Sequence, residues 1–401
     1  MATQNGSTTP GVPNGKAEDS QDVSGLLMRL SRLFPHDLVS TKALPNAPHW
    51  LMKILDGWSY DEMPDLSGRV FIVTGGNSGV GFEMVRHLAL HNAHVIIASH
   101  GKPRMADATN TLRELIKDSK GRVDYMMLDL SSLKSVRAFA DSFRALGLPL
   151  HGLLNNAGVH VRDIERTEDN FELAIGTNFY GHFYLTHLLL DILKASGPSR
   201  VCNITSPQEA RGCLDWNDLK GEFARLSTMD DYSSSEQMSL MSGLELGRRL
   251  AGSGVDVFVG SPGFSQTGVC RQTGGQAGGR EDLFRKMDYR KPESTTINWL
   301  QNLLGQSAAR GALSMVYTAT APELEGRGGE YYSPYYFKNH LVWPFLRGVF
   351  CFNMPNCMKV NPSRATPACD PNARFRFYAE AANLMEKELG APLPNRVPAP
   401  V

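Results

Sequence analysis

Thr74-Gly75-Gly76-Asn77-Ser78-Gly79-Val80-Gly81 is the segment whose residue types and spacing point most directly to chemistry. It follows a short apolar run and opens a stretch of helical period. Glycines at such a junction permit a tight turn and let the backbone approach a pyrophosphate. The helix N-terminus then offers N–H groups and a favourable dipole. A glycine pattern alone is weak, but one set between strand and helix has the context that dinucleotide binding requires. The alternative is a tight structural turn. Thr74, Gly75, Asn77, Ser78, Gly79 and Gly81 are thus candidate cofactor ligands. An NAD site usually carries an acid about 20 residues beyond the glycines, on the ribose 2′-hydroxyl. Here that stretch reads Ala98-Ser99-His100-Gly101-Lys102-Pro103-Arg104, with no acid before Asp107. Lys102 or Arg104 could reach a 2′-phosphate, which favours NADP over NAD. The alternative for this pair is a solvated surface loop. Cys351, Cys357 and Cys369, with His340 upstream, lack the paired spacing of a zinc site, so no metal is expected. His182 and His187 lie on an apolar helix and read as core or helix-surface residues rather than ligands.

The elements that must position these residues follow from periodicity. Strands are expected at 70–74, 95–98, 125–128, 152–155, 201–204 and 255–259, and helical segments follow each of the first five. That alternation implies an α/β fold, a parallel sheet with helices on both faces. Residues 1–24 are polar and read as a disordered tail. Residues 25–64 read as a helical extension, with Leu26, Leu27, Leu30 and Leu33 on one face. It packs on the main domain or meets a membrane surface or partner. Residues 331–370 are aromatic and irregular, and lipophilic-pocket lining, membrane contact and simple packing all fit them. The stretch from Gly274 to Gly279 reads as a plausible lid hinge. A final amphipathic helix, from about 374 to 389, is polar enough to lie on the surface. Lys plus Arg and Asp plus Glu are 41 each, so no global positive field marks a nucleic-acid binder. The Met1 region lacks the basic and apolar segments of a signal peptide, so none is expected, and no apolar run is long enough to span a bilayer. Six cysteines in 401 residues read as free thiols in a reducing compartment. The expected location is cytoplasmic, with peripheral membrane contact as the variant.

The TGxxxGxG spacing resembles the short-chain dehydrogenase/reductase family, and the likeness recurs in order from about residue 68 to 333. Asp129-Leu130 ends the third strand, where the family places the adenine ring. Asn155-Asn156-Ala157-Gly158 looks like its NNAG motif. Asn178 matches its structural and catalytic asparagine, Ser206 its catalytic serine. Pro262-Gly263 with Thr267 matches the segment that meets the nicotinamide amide. The stretch from Thr320 to Ser333 is similar to the retinol dehydrogenase and WW-domain oxidoreductase branch. The resemblance implies a doubly wound Rossmann-type domain over 65–333, with residues 334–401 as an irregular aromatic region and terminal helix. It implies a nicotinamide cofactor held at Gly75, Gly79, Gly81, Asp129, Leu130, Asn156, Ala157, Gly158, Pro262, Gly263 and Thr267. It also implies a small-molecule carbonyl or alcohol substrate, lipophilic in character, and a homodimer.

Family chemistry uses a tyrosine as general acid or base, with a lysine four residues later lowering its pKa and binding the nicotinamide ribose. A serine hydroxyl holds the substrate oxygen. Tyr232 matches the tyrosine, 26 residues after Ser206, in Tyr232-Ser233-Ser234-Ser235-Glu236. The lysine position is Glu236, and no YxxxK occurs anywhere in the chain. A carboxylate there would disfavour the phenolate. Three readings remain: an oxidoreductase with weakened or rewired catalysis, a nucleotide-binding pseudoenzyme acting as sensor or scaffold, and a platform that no longer binds nucleotide. Tyr232, Ser206, Asn178 and Glu236 are the candidate catalytic residues. Pro207 restrains Ser206 to an extended backbone and removes one N–H near the substrate oxygen.

Overall fold

The computed structural model describes residues 58–160, 165–223, 228–263, 308–333, 358–360, 362 and 366–399. Thr267, the 274–279 glycines, the aromatic run from Tyr335 to Phe352, Cys351, Cys357, His340 and the expected N-terminal tail and helices lie outside the described residues.

Among the described residues one sheet of eight strands runs in the order β3-β2-β1-β4-β5-β6-β7-β8. The strands are β1 Val70–Thr74, β2 His94–Ser99, β3 Arg122–Met127, β4 Gly152–Asn155, β5 Ser199–Ile204, β6 Val255–Gly260, β7 Glu330–Ser333 and β8 Met358–Val360. All pairs are parallel except β7 with β8. Helices α1 Gly79–Leu90, α2 Lys102–Leu115, α3 Leu133–Ala145, α4 Gly181–Ala195, α5 Thr228–Arg249, α6 Ala308–Thr320 and α7 Pro371–Leu389 complete the fold.

The alternation of side chains along β1 shows why the sheet is covered twice. Val70 and Ile72 pack into one apolar cluster with α3, α4, α5 and α7, whereas Phe71 and Val73 pack into another with α1, α2 and α6. Successive strand side chains face opposite sides, and a strand buried on both reads as a continuous apolar run. Trp58, Met63 and Leu66 join the second cluster, so the end of the expected N-terminal extension packs on this domain.

Residues 331–370 were expected to be irregular, yet β7 starts at their edge and β8 lies within them. The cause is register. Tyr331 and Tyr332 bond into the sheet beside Val259 and Gly260, and three residues of β8 pair back on them. Short strands of this kind carry little periodic signal.

Helix α7 begins two to three residues earlier than its period suggested. Asp370 caps it by accepting from the Asn372 N–H at 2.9 Å. It is also less superficial than its polarity implied. Phe377, Tyr378, Ala381, Ala382 and Met385 are buried. The Arg249 guanidinium lies 4.2 Å from the Tyr378 ring centroid, and the Tyr378 hydroxyl meets His187 Nε2 at 2.8 Å. Burial depresses His187 to a pKa of about 4, so it is neutral and part of the core. Phe377→Ala is expected to cost about 3–5 kcal/mol. Tyr378→Phe, which strands a buried imidazole nitrogen, should cost about 1–3 kcal/mol. Urea denaturation of both variants checks the pair.

Candidate active site

The strand order reverses between β1 and β4, whose carboxyl ends open the crevice where doubly wound sheets bind ligands. The glycine turn leaves β1 and the Asn155–Gly158 segment leaves β4, so the two meet across that point. Thr74 is the joint. Its hydroxyl oxygen accepts from the Asn156 and Ala157 N–H groups at 2.8 and 2.9 Å. The Asn156 amide donates to the Thr74 carbonyl at 2.8 Å. A Cβ at Gly81 would stand 2.4 Å from the Gly75 oxygen and 2.6 Å from Asn156 Nδ2, so only glycine lets α1 begin there. At Gly79, where φ is +56°, nothing lies within 4 Å of an added Cβ. The outer side of the turn is open, as a dinucleotide needs. Ser78 precedes α1 with an extended backbone, and Asn77 and Ser78 are half-buried. A Gly81→Ala variant should lose cofactor affinity by at least about tenfold, read by fluorescence titration, because the turn must shift.

His182, expected only as a core or surface residue, ties this junction to the catalytic side. Its Nδ1 lies 2.9 Å from the Asn178 carbonyl and its Nε2 lies 2.8 Å from the Thr74 hydroxyl. The carbonyl can only accept, so Nδ1–H is the donor to it, leaving Nε2 to accept the Thr74 proton. Burial lowers its pKa to about 4, which fixes this neutral form. Nothing in a lone helical histidine signals such a link.

Asn178 sits in a π-helical turn, Ile175–Tyr180, ahead of α4. Its Oδ1 accepts from the Val159 N–H at 2.8 Å. Its Nδ2 donates to the Val159 carbonyl at 3.1 Å and to Ser235 Oγ at 3.0 Å. The amide therefore clamps the segment after β4 against α5, which carries Tyr232.

Ser206 follows β5 with φ −120° and ψ 157°, the extended backbone Pro207 demands. Its hydroxyl oxygen accepts from the Gln208 N–H at 3.3 Å, and its proton has no acceptor among the described residues. Pro207 occupies the first position of a 3-10 turn, where a missing N–H leaves no internal bond unmade. Tyr232 is half-buried on α5, and its ring centroid lies 5.3 Å from that of His160. His160 is 8% exposed, its Nε2 has no hydrogen-bond partner among the described residues, and burial lowers its pKa. Sequence reading missed it, although it directly follows the Asn155–Val159 segment.

Glu236 lies one helical turn beyond Tyr232, on the same face, and is 7% exposed. Burial pushes its pKa up to about 8. Hydrogen bonding from Tyr232 and the Ser206 N–H opposes that rise, and the nearby Glu209 charge adds to it. The Thr205 hydroxyl gives its one proton to the Glu236 backbone carbonyl at 2.9 Å. Burial thus works against the negative charge expected beside Tyr232, because an enclosed carboxyl holds its proton more tightly.

The remaining candidates share the same edge. His100 is half-buried just after β2. Lys102 and Arg104 stand in the first turn of α2, after Gly101 at φ +87°, rather than in a loop. Lys102 is exposed and Arg104 half-buried. Asp129 follows β3, its Oδ1 accepting from the Ser131 N–H and hydroxyl at 2.9 and 2.6 Å. Leu130 is a core residue, its carbonyl 2.4 Å from where a Cβ on Gly181 would stand. Pro262 and Gly263 follow β6, where the Gly263 N–H donates to Ser261 Oγ at 3.2 Å. No cluster of metal-ligating side chains occurs among the described residues.

A parallel sheet with a dinucleotide-type turn at its switch point, and a serine and tyrosine at the same edge, defines a Rossmann-type oxidoreductase scaffold. Comparison with known proteins agrees. The short chain dehydrogenase family model matches residues 69–217. Polyprenol dehydrogenase of Danio rerio is 37% identical over 276 residues, 67% of this chain and 79% of that protein. Human retinol dehydrogenase 12 is 35% identical over 67% of this chain and 78% of its own length. Human WW domain-containing oxidoreductase is 35% identical over 70% of this chain and 64% of its own. A crystal structure of an uncharacterized protein from Mycobacterium paratuberculosis superposes with a TM-score of 0.60 at 28% identity, covering 84% of this chain and 99% of that one. The chain belongs to the short-chain dehydrogenase/reductase family, an oxidoreductase family whose fold binds NAD(P).

Proposed function

We propose that this protein is an NAD(P)-dependent oxidoreductase that interconverts a lipophilic alcohol and its carbonyl compound. The observation that carries the reading is the gathering of Ser206, Tyr232 and the glycine turn at one edge of the sheet. Bound there, the cofactor supplies or accepts a hydride. Gly75, Asn77, Ser78, Gly79 and Gly81 would hold its pyrophosphate, and Asp129, Leu130, Asn156, Ala157, Gly158, Pro262, Gly263 and Thr267 its remaining parts. Ser206 donates to the substrate oxygen, Tyr232 exchanges its proton, and Asn178 holds α5 in place. NADP is the preferred cofactor. Support comes from Lys102 and Arg104 on the first turn of α2 and from the absence of a carboxylate in Ala98-Ser99-His100. Relatives named for polyprenol and retinol support a lipophilic substrate; no described helix is long and apolar enough to cross a membrane.

The second reading, a nucleotide-binding sensor or scaffold, is favoured by one observation, Glu236 in the lysine position. Incubation with NADP⁺ or NAD⁺ and either polyprenol or retinol, followed by nicotinamide absorbance, separates the two. Turnover supports the oxidoreductase. Cofactor binding with no turnover, unaltered by Tyr232→Phe, supports the sensor.

A further inference from the structure

We propose that Glu236 is the proton-holding partner of Tyr232, replacing a cationic lysine with a carboxyl that accepts and returns the catalytic proton. This deepens the oxidoreductase reading and rests on it.

Three features of the geometry carry it. Glu236 is placed four residues after Tyr232 on one helix, so both side chains share a face. Its carboxyl is enclosed rather than solvated. Hydrogen bonding from the Tyr232 hydroxyl and the Ser206 N–H favours its ionised form. A lysine has no acceptor to offer the Ser206 N–H, so this pocket suits a carboxyl. The other ionisable groups bearing on it are few among the described residues. Glu209, on the turn after Ser206, is the charged one, and His160 lies beyond the Tyr232 ring.

In alcohol oxidation the substrate hydroxyl gives its proton to Tyr232 Oη as Tyr232 gives its own to the Glu236 carboxylate. A bound oxidised nicotinamide would take the carbinol hydrogen as hydride, leaving the carbonyl. In reduction Tyr232 protonates the nascent alkoxide and the Glu236 carboxylic acid restores the tyrosine proton. Oxidation therefore needs Glu236 ionised, and reduction needs it protonated. With a midpoint near pH 8, oxidation gains rate through that pH as reduction loses it.

Infrared difference spectroscopy of the full chain, wild type minus Glu236→Gln, tests the idea without any substrate. The expected result is a protonated carboxyl band at pH 6 that titrates with a midpoint near pH 8 and moves to higher pH in Tyr232→Phe. A midpoint in the ordinary carboxylate range, or one indifferent to Tyr232→Phe, overturns the proposal. Decanol and decanal give a second readout. Glu236→Gln should lower oxidation about 10²–10⁴-fold and flatten its rise with pH, and Glu236→Asp should restore part of the pH dependence. A Glu236→Gln profile that matches wild type overturns the assignment. Failure of the oxidoreductase reading looks different: the infrared titration is intact while neither probe turns over with bound cofactor.

Discussion

Tyr232→Phe should lower hydride transfer by about 10²–10⁴-fold, the usual contribution of a positioned general acid or base, while NADPH affinity stays close to wild type. The expectation follows from where the tyrosine stands. It is half-buried on α5, one turn before Glu236. The clamp from Asn178 to Val159 and Ser235 fixes that part of the helix independently of the phenol. The change removes one hydroxyl from a ring whose contact with His160 is retained. A loss of kcat with KM little changed marks an interaction made in the transition state. Equal turnover in the two proteins would remove Tyr232 from the chemistry.

Stability against pH should separate wild type from Glu236→Gln by a few kcal/mol. Burial raises the Glu236 pKa from 4.5 to about 8 in the folded protein. Between those values the folded state holds a proton that the unfolded chain releases, so stability falls as pH rises. Each tenfold weakening of an acid on folding is worth about 1.4 kcal/mol, and the full deficit is present once pH passes the folded midpoint. Glutamine is neutral throughout and escapes it. The advantage in Tm of Glu236→Gln over wild type, both free of cofactor, should therefore grow from pH 5 to pH 8. Parallel curves would mean that Glu236 is solvated and ionises normally.

Much of the scaffold was legible because its strands are apolar runs between glycine and polar breaks. The fully buried β1 and β4 and the largely buried β6 fell within a residue of their expected ends. The glycine turn was legible because backbone geometry constrains residue type: Gly81 has no room for a Cβ. The short last strands were not legible, since β7 and β8 owe their existence to partners elsewhere in the sequence. The missing lysine could be read directly, but its consequence could not. Charge near Tyr232 was inferred from residue type, whereas burial sets the protonation of Glu236. His160 was overlooked for the same reason, and His182, read as a core or helix-surface residue, is buried, but its bond to Thr74 was not foreseen. A histidine's role depends on which groups surround it, and neither the Thr74–His182–Asn178 chain nor a His160 Nε2 without a partner among the described residues leaves a local pattern.

The edge beside Thr74–Gly81 is, on this reading, a working nicotinamide site, and every catalytic role assigned above depends on it. Titration of the purified protein with NADPH and NADH, followed by cofactor fluorescence, tests it most directly and requires no substrate. The expected result is saturable binding of both, tighter for NADPH, with NADPH affinity weakened in Lys102→Ala and Arg104→Ala. Absence of binding by either cofactor would contradict it, and with it the assignment of Tyr232 and Glu236 to hydride-transfer chemistry.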